Sequence, residues 1–169
     1  VVVPHPAAVA DHSPDPADVR RALDIPAESR LVVAAGRFDR TADARTAVWA
    51  FDVVKYVAPD LHLILVGDGP GRERAAGFAQ ALGFDDYRVR FAGKRYGWAE
   101  AVAVADIAWV THDRGGAAEA LAALAAGKPL VAVGNPDVAE VVQDGTTARL
   151  VPPADRVRPA GVPVGSLAP

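Results

Sequence analysis

The sequence predicts an α/β fold: a doubly wound, Rossmann-like, mostly parallel six-stranded sheet with helices on both faces. Two patterns carry that expectation. Short apolar runs alternate with longer alanine-rich segments whose apolar residues recur every three or four positions, the βαβα rhythm of a parallel sheet covered by helices. Between them stand Gly-, Pro- and Asp-rich stops such as "LGFDD" and "QDGTT". At 169 residues the chain can bury one full core and is short for two.

Taken in order, the opening 29 residues hold four prolines in the first sixteen, then a short helix over Pro16–Leu23 capped by Asp15. Residues 1–30 therefore read as a leading strand, a linker and that helix. Strands follow at Leu31–Ala35, Leu61–Val66, Arg88–Ala92, Ile107–Val110, Pro129–Val133 and Ala148–Val151. Helices fill the gaps at about Ala42–Ala58, Gly71–Leu82, Gly97–Val104, Gly115–Ala126 and Asp137–Gln143. Residues 31–155 make the Rossmann-like domain, and 156–169, proline-rich and without periodicity, read as a flexible tail.

Composition excludes several roles. A net charge of −3 offers no electrostatic ground for binding nucleic acid, and no apolar run approaches the roughly 20 residues of a membrane span. The absence of cysteine removes disulfides, thiol catalysis and Cys-ligated zinc, and agrees with a cytoplasmic setting. His5, His12 and His112 have no ligand-like spacing, so no metal is expected. With no methionine and an opening "VVVPHP" unlike a signal peptide, the chain reads as a piece of a longer protein.

The stretch "LILVGDGPGRERAAGF" (63–78) runs from a strand through Gly67, Gly69 and Gly71 into a helix. A dinucleotide fingerprint needs G-x-G-x-x-G and an acid ending the next strand, to hold a ribose. Here Arg72 follows Gly71 and "RVRFAG" ends without an acid, so that reading fails. As a plain turn, Gly67 and Gly69 supply tight backbone and Pro70 opens the helix.

Read together, "VVAAGRFDR", "LILVGDGPGRERAAGFAQALGFDDYRVRFAGKR" and "LAAGKPLVAVGNPDVAEVVQDGTTARLVPPAD" resemble, in order and spacing, the C-terminal half of glycosyltransferase family 4. That half is the donor-binding domain of two-domain GT-B enzymes, and the match covers about residues 1–155. The resemblance implies transfer of a hexose from a nucleoside diphosphate sugar with retention, no required cofactor, and a missing N-terminal domain that binds the acceptor. Through that domain the protein would sit at the inner face of the membrane.

Residue by residue, the resemblance carries over only part of a site. Arg37, within Gly36-Arg37-Phe38, takes the place of the family arginine, where a guanidinium forks two phosphate oxygens. The family lysine falls on Ala42, and the two glutamates of its E-x7-E pattern fall on Arg114 and Ala122. Glu119, about one helical turn from the second of these, is the remaining carboxylate candidate. Gly115, Gly116 and Ala117 enter a helix and offer amides to a diphosphate, with Arg114 or Lys94 in place of the lost lysine. Gly67 and Gly69 line the cleft edge, Tyr96 or Trp98 in "GKRYGW" can stack on a base, and His112 is a further contact. Asp39 and Asp43, which flank Arg37, are expected to pair with Arg40 and Arg45, and Glu140 to steady the loop after Asn135.

Two functions follow from these residues: a working transferase, or a catalytically impaired member serving as a structural or partner-binding domain. A GT-B sugar-nucleotide epimerase is disfavoured, because its carboxylate and histidine groups have no place here.

Overall fold

The computed structural model describes residues 15–40, 42, 44–84, 88–94 and 97–153. The leading strand and linker expected in 1–14, and the tail 156–169, lie outside the described residues. The elements run α1 (Pro16–Ala22), β1 (Arg30–Ala35), α2 (Ala44–Val54), β2 (Leu61–Val66), α3 (Arg72–Ala81), β3 (Val89–Gly93) and α4 (Trp98–Val104). They continue with β4 (Ile107–Val110), α5 (Ala117–Ala125), β5 (Leu130–Val133), α6 (Pro136–Ala139) and β6 (Arg149–Val151). The six strands form one sheet in the order β3-β2-β1-β4-β5-β6, and every pairing is parallel.

Strand order reverses direction between β1 and β4, which start the two halves of the sheet. In open α/β sheets the crevice outside the carboxyl ends of such strands is where ligands bind. The loops that follow β1, β2, β3 and β4 therefore share one edge.

Alternation along the strands sorts the core into two layers, because successive side chains point to opposite faces. Val32, Ala34, Leu63 and Leu65 meet Val48, Phe51 and Val54 of α2 and Ala75 and Ala79 of α3. Leu31, Val33, Ile64 and Val66 meet Val19 of α1 and Ala101 and Val104 of α4. Further along, Ala108, Val110, Leu130 and Ala132 meet Ala120 and Ala123 of α5 and Val138 of α6. The alanines leave thin helix faces that let helix and sheet backbones approach.

The helices are shorter than the periodicity predicts, α2 and α6 most in proportion. α2 begins at Ala44, since the Ala42 amide donates to Asp39 Oδ1 (3.1 Å) outside the helix. It ends at Val54 because Ala58 precedes Pro59, whose ring drives the residue before it out of the helical region. α6 starts on Pro136 with Asn135 as its cap and stops at Ala139, short of Gln143. Beyond it the Gln143 carbonyl accepts the amides of Thr146 (3.2 Å) and Thr147 (3.0 Å), closing a turn instead.

Candidate functional site

The first loop of the crevice is built around a buried aromatic. Phe38 is 1% exposed with φ 47°, a left-handed conformation uncommon for a bulky residue. That twist sends its ring into the α2/α3 layer, edge-on to Phe91 at 6.2 Å, while its neighbour Arg37 points outward with 81% of its side chain exposed. Arg37 Nε (3.1 Å) and Nη2 (2.9 Å) both donate to Asp39 Oδ2. Arg37, a partner the sequence reading did not name, is thus paired with Asp39.

The glycines after β2 explain how that loop is held. A Cβ on Gly67 would stand 1.9 Å from the Gly36 carbonyl oxygen, and one on Gly69 would stand 1.8 Å from that of Arg37. Both have positive φ, 126° and 159°. The Gly71 amide donates to the Phe38 carbonyl (2.7 Å), and a Cβ there would meet the same oxygen at 2.5 Å. The close approach these glycines permit is therefore to the 36–38 loop, backbone against backbone.

The loop after β4 is braced from both sides. His112 is buried, and its Nε2 lies 2.9 Å from the Ala35 carbonyl at the end of β1. A carbonyl only accepts, so this nitrogen carries the proton. His112 thereby ties the exit of β4 to the exit of β1, and its ring faces protein. Gly116, at φ 89°, sits so close that a Cβ would stand 2.8 Å from His112 Nδ1 and 2.6 Å from Val110 Cγ1. From the other side Asn135, 1% exposed, donates through Nδ2 to the carbonyls of His112 (2.8 Å) and Gly115 (3.0 Å). Its Oδ1 accepts the Val138 amide (3.0 Å), so one side chain caps α6 and fixes the loop. Asp137 Oδ2 accepts the Gly115 amide at 2.6 Å.

Gly36, Arg37, Gly67, Gly69, Lys94, His112, Arg114, Gly115 and Gly116 thus all lie in loops at one edge of the sheet, and Ala117 opens α5. Lys94 and Arg114 are exposed. Tyr96 lies outside the described residues. Trp98 is half-buried against the α1/α4 and α5/α6 clusters of one core layer, and its Nε1 donates to the Glu119 carbonyl (2.9 Å), so this ring packs α4 onto α5. Glu119 is half-buried in the first turn of α5, and Ala42, at the lysine position, is 5% exposed. Among the described residues no group of three or more His, Asp or Glu side chains is placed to hold a metal.

Sequence reasoning missed Asn135 and Asp137 as holders of the β4 loop; Glu140, expected to steady the loop after Asn135, is exposed. The signal was present in "NPD": an Asn before a Pro marks a helix cap, and the acid after that Pro falls in the first turn.

A family model described as "Glycosyl transferases group 1" matches residues 29–160. Among solved structures, the fold is shared with HepE of Anabaena in complex with UDP and glucose, at TM-score 0.72 and 23% identity, over 82% of this chain and 38% of that one. A glycosyltransferase from Rickettsia africae matches at TM-score 0.76 and 16% identity, over 86% and 40%. Sucrose-phosphate synthase from Thermosynechococcus elongatus matches at TM-score 0.66 and 30% identity, over 82% and 36%. The chain spans about two fifths of the length of these neighbours. No curated protein matches it by sequence.

Proposed function

The chain belongs to the glycosyl transferases group 1 family, and from that premise we propose that it is the nucleotide-sugar donor-binding domain, the C-terminal half, of a two-domain GT-B glycosyltransferase. The reaction proposed is transfer of a hexose from a nucleoside diphosphate sugar with retention of configuration. An N-terminal domain outside these residues would bind the acceptor and carry the protein to the inner, cytoplasmic face of a membrane. None of the described helices is long and apolar enough to cross one.

The observation that carries the reading is the position of Arg37 and the Gly115–Gly116 turn at the carboxyl ends of β1 and β4, neighbours at the reversal of strand order. Cleavage of a sugar–diphosphate bond leaves negative charge on the leaving phosphate, and preorganised donors are what stabilise such charge. Arg37 supplies a planar fork, and the amides around Gly116 and Ala117 supply neutral donors beside the positive end of α5. Arg114 and Lys94 bring mobile positive charge where Ala42 brings none. Glu119 is the carboxylate proposed to face the sugar. UDP in the HepE complex agrees with a nucleoside diphosphate as ligand.

A second reading rests on a specific observation. The lysine position is a buried alanine and both E-x7-E positions lack a carboxylate, being Arg114 and Ala122. Removing one group aimed at developing charge typically slows a reaction by about 100- to 1000-fold, so three losses favour an impaired member that serves a structural or partner-binding role. The domain by itself, without an acceptor domain, is proposed to be inactive.

Titration of UDP, GDP, ADP and their sugars, followed through the amide resonances of residues 36–38 and 114–118, tests the donor site. Low-millimolar or tighter binding of at least one diphosphate, weakened by Arg37→Ala, is the expected result. No response to any of them leaves the partner-binding role as the reading.

A further inference from the structure

The two groups that a diphosphate would grip are both already held by carboxylates of the chain itself. Arg37 gives Nε and Nη2 to a single oxygen, Asp39 Oδ2, at 3.1 and 2.9 Å. The Gly115 amide gives its proton to Asp137 Oδ2 at 2.6 Å. The two loops leave neighbouring strands at the same sheet edge. We infer that Asp39 and Asp137 are built-in stand-ins for the two phosphoryl groups, and that they set the site's selectivity because only an anion with two linked phosphoryl groups displaces both. The inference rests on the donor-site reading above.

The chemistry favours exchange over permanent closure. Asp137 is exposed and Asp39 keeps 26% of its side chain in solvent, so either carboxylate can return to water without a large desolvation cost. Asp39 also has a second task that survives the exchange, since its Oδ1 accepts the Ala42 amide at 3.1 Å and keeps the loop turned. Arg37 uses two donors on one oxygen and therefore has Nη1 and a second oxygen's worth of geometry to offer. A single phosphate replaces one carboxylate and remains beside the other, a like-charge neighbour. A diphosphate replaces both. The pair of acids thus discriminates by the number of linked phosphoryl groups rather than by total cationic charge.

The test compares inorganic phosphate, inorganic pyrophosphate and UDP as probes on the 169-residue chain and on Asp39→Asn, Asp137→Asn and the double variant, by calorimetry. Asparagine keeps an oxygen for the same amide and removes only the charge. A unit charge about 4 Å away is worth about fivefold in affinity in water. Each single variant is therefore expected to bind pyrophosphate and UDP about fivefold more tightly. In the double variant inorganic phosphate is expected to gain proportionally more than pyrophosphate, narrowing the gap between them. Asp39→Ser and Asp137→Ser, whose hydroxyls also accept an amide proton, replace any Asn variant whose amide spectrum departs from that of the parent. Parent binding with unchanged or weaker binding in the variants overturns the stand-in role and leaves the donor site intact. No binding of UDP or pyrophosphate by any protein overturns both.

Discussion

Strand β1 carries an Arg–Asp pair at each end, and the two are built differently. At its amino end Arg30 donates Nε to Asp60 Oδ2 (2.8 Å) and Nη2 to Oδ1 (2.9 Å), a closed fork between residues thirty apart that clips the start of β1 to the start of β2. At its carboxyl end Arg37 places both donors on one oxygen of an acid two residues away, with 81% of its side chain in solvent against 42% for Arg30. The first pair engages both carboxylate oxygens in a parallel fork and holds elements together. The second leaves its arginine able to change partners, which a ligand-binding group requires.

Four experiments would break or sharpen that contrast. The largest effect is expected at the glycines that hold the Arg37 loop. Gly67→Ala drives a methyl into the Gly36 carbonyl at 1.9 Å from a position with φ 126°, and should cost about 3 kcal/mol or more in a denaturant titration. Asn135→Ala comes next. It strips a buried side chain from two carbonyls and the α6 cap, for an expected loss of about 2–3 kcal/mol by the same measurement.

Arg37→Ala should leave the unfolding midpoint nearly unchanged and weaken nucleoside diphosphate binding by about 2 kcal/mol, roughly thirtyfold, in calorimetry. Arg30→Ala should do the reverse, shifting stability and sparing binding. Equal behaviour of the two arginines would erase the distinction between the ends of β1.

The smallest effect concerns acid. The Arg30 guanidinium holds the Asp60 carboxyl down at about 2, from an ordinary 3.8. A carboxyl depressed in the folded state stabilises the fold above its unfolded value and loses that contribution as pH falls through the folded one. Asp60→Asn is therefore expected to be less stable than the parent above about pH 4, with the two curves converging towards about pH 2. Urea midpoints measured across that window check it.

Most of the fold was legible because it is written in periodicity. The strand runs at Leu61–Val66 and Ile107–Val110 are as the apolar pattern predicts, and the others differ by a residue. The helix ends were less legible, since α2 and α6 stop where a hydrogen bond or a following proline intervenes rather than where apolar spacing fades. The site was legible as a set of loops and illegible as a set of bonds. "GDGPG" announces tight backbone, yet nothing local to it says that the backbone it must fit is Gly36-Arg37-Phe38, because that contact spans about thirty residues and an intervening helix.

By itself, then, the sequence determined the alternation of strands and helices, the glycine and proline stops, and the place of Arg37 and Gly115 after particular strands. Only the tertiary structure decided the all-parallel order that sets β1 beside β4, the brace from His112 to Ala35, and the carboxylates that occupy the Arg37 and Gly115 donors. The reason is physical. Periodicity reports which face of an element is buried, a local property, whereas the partner of a polar group is chosen by whatever the fold brings within about 3 Å of it.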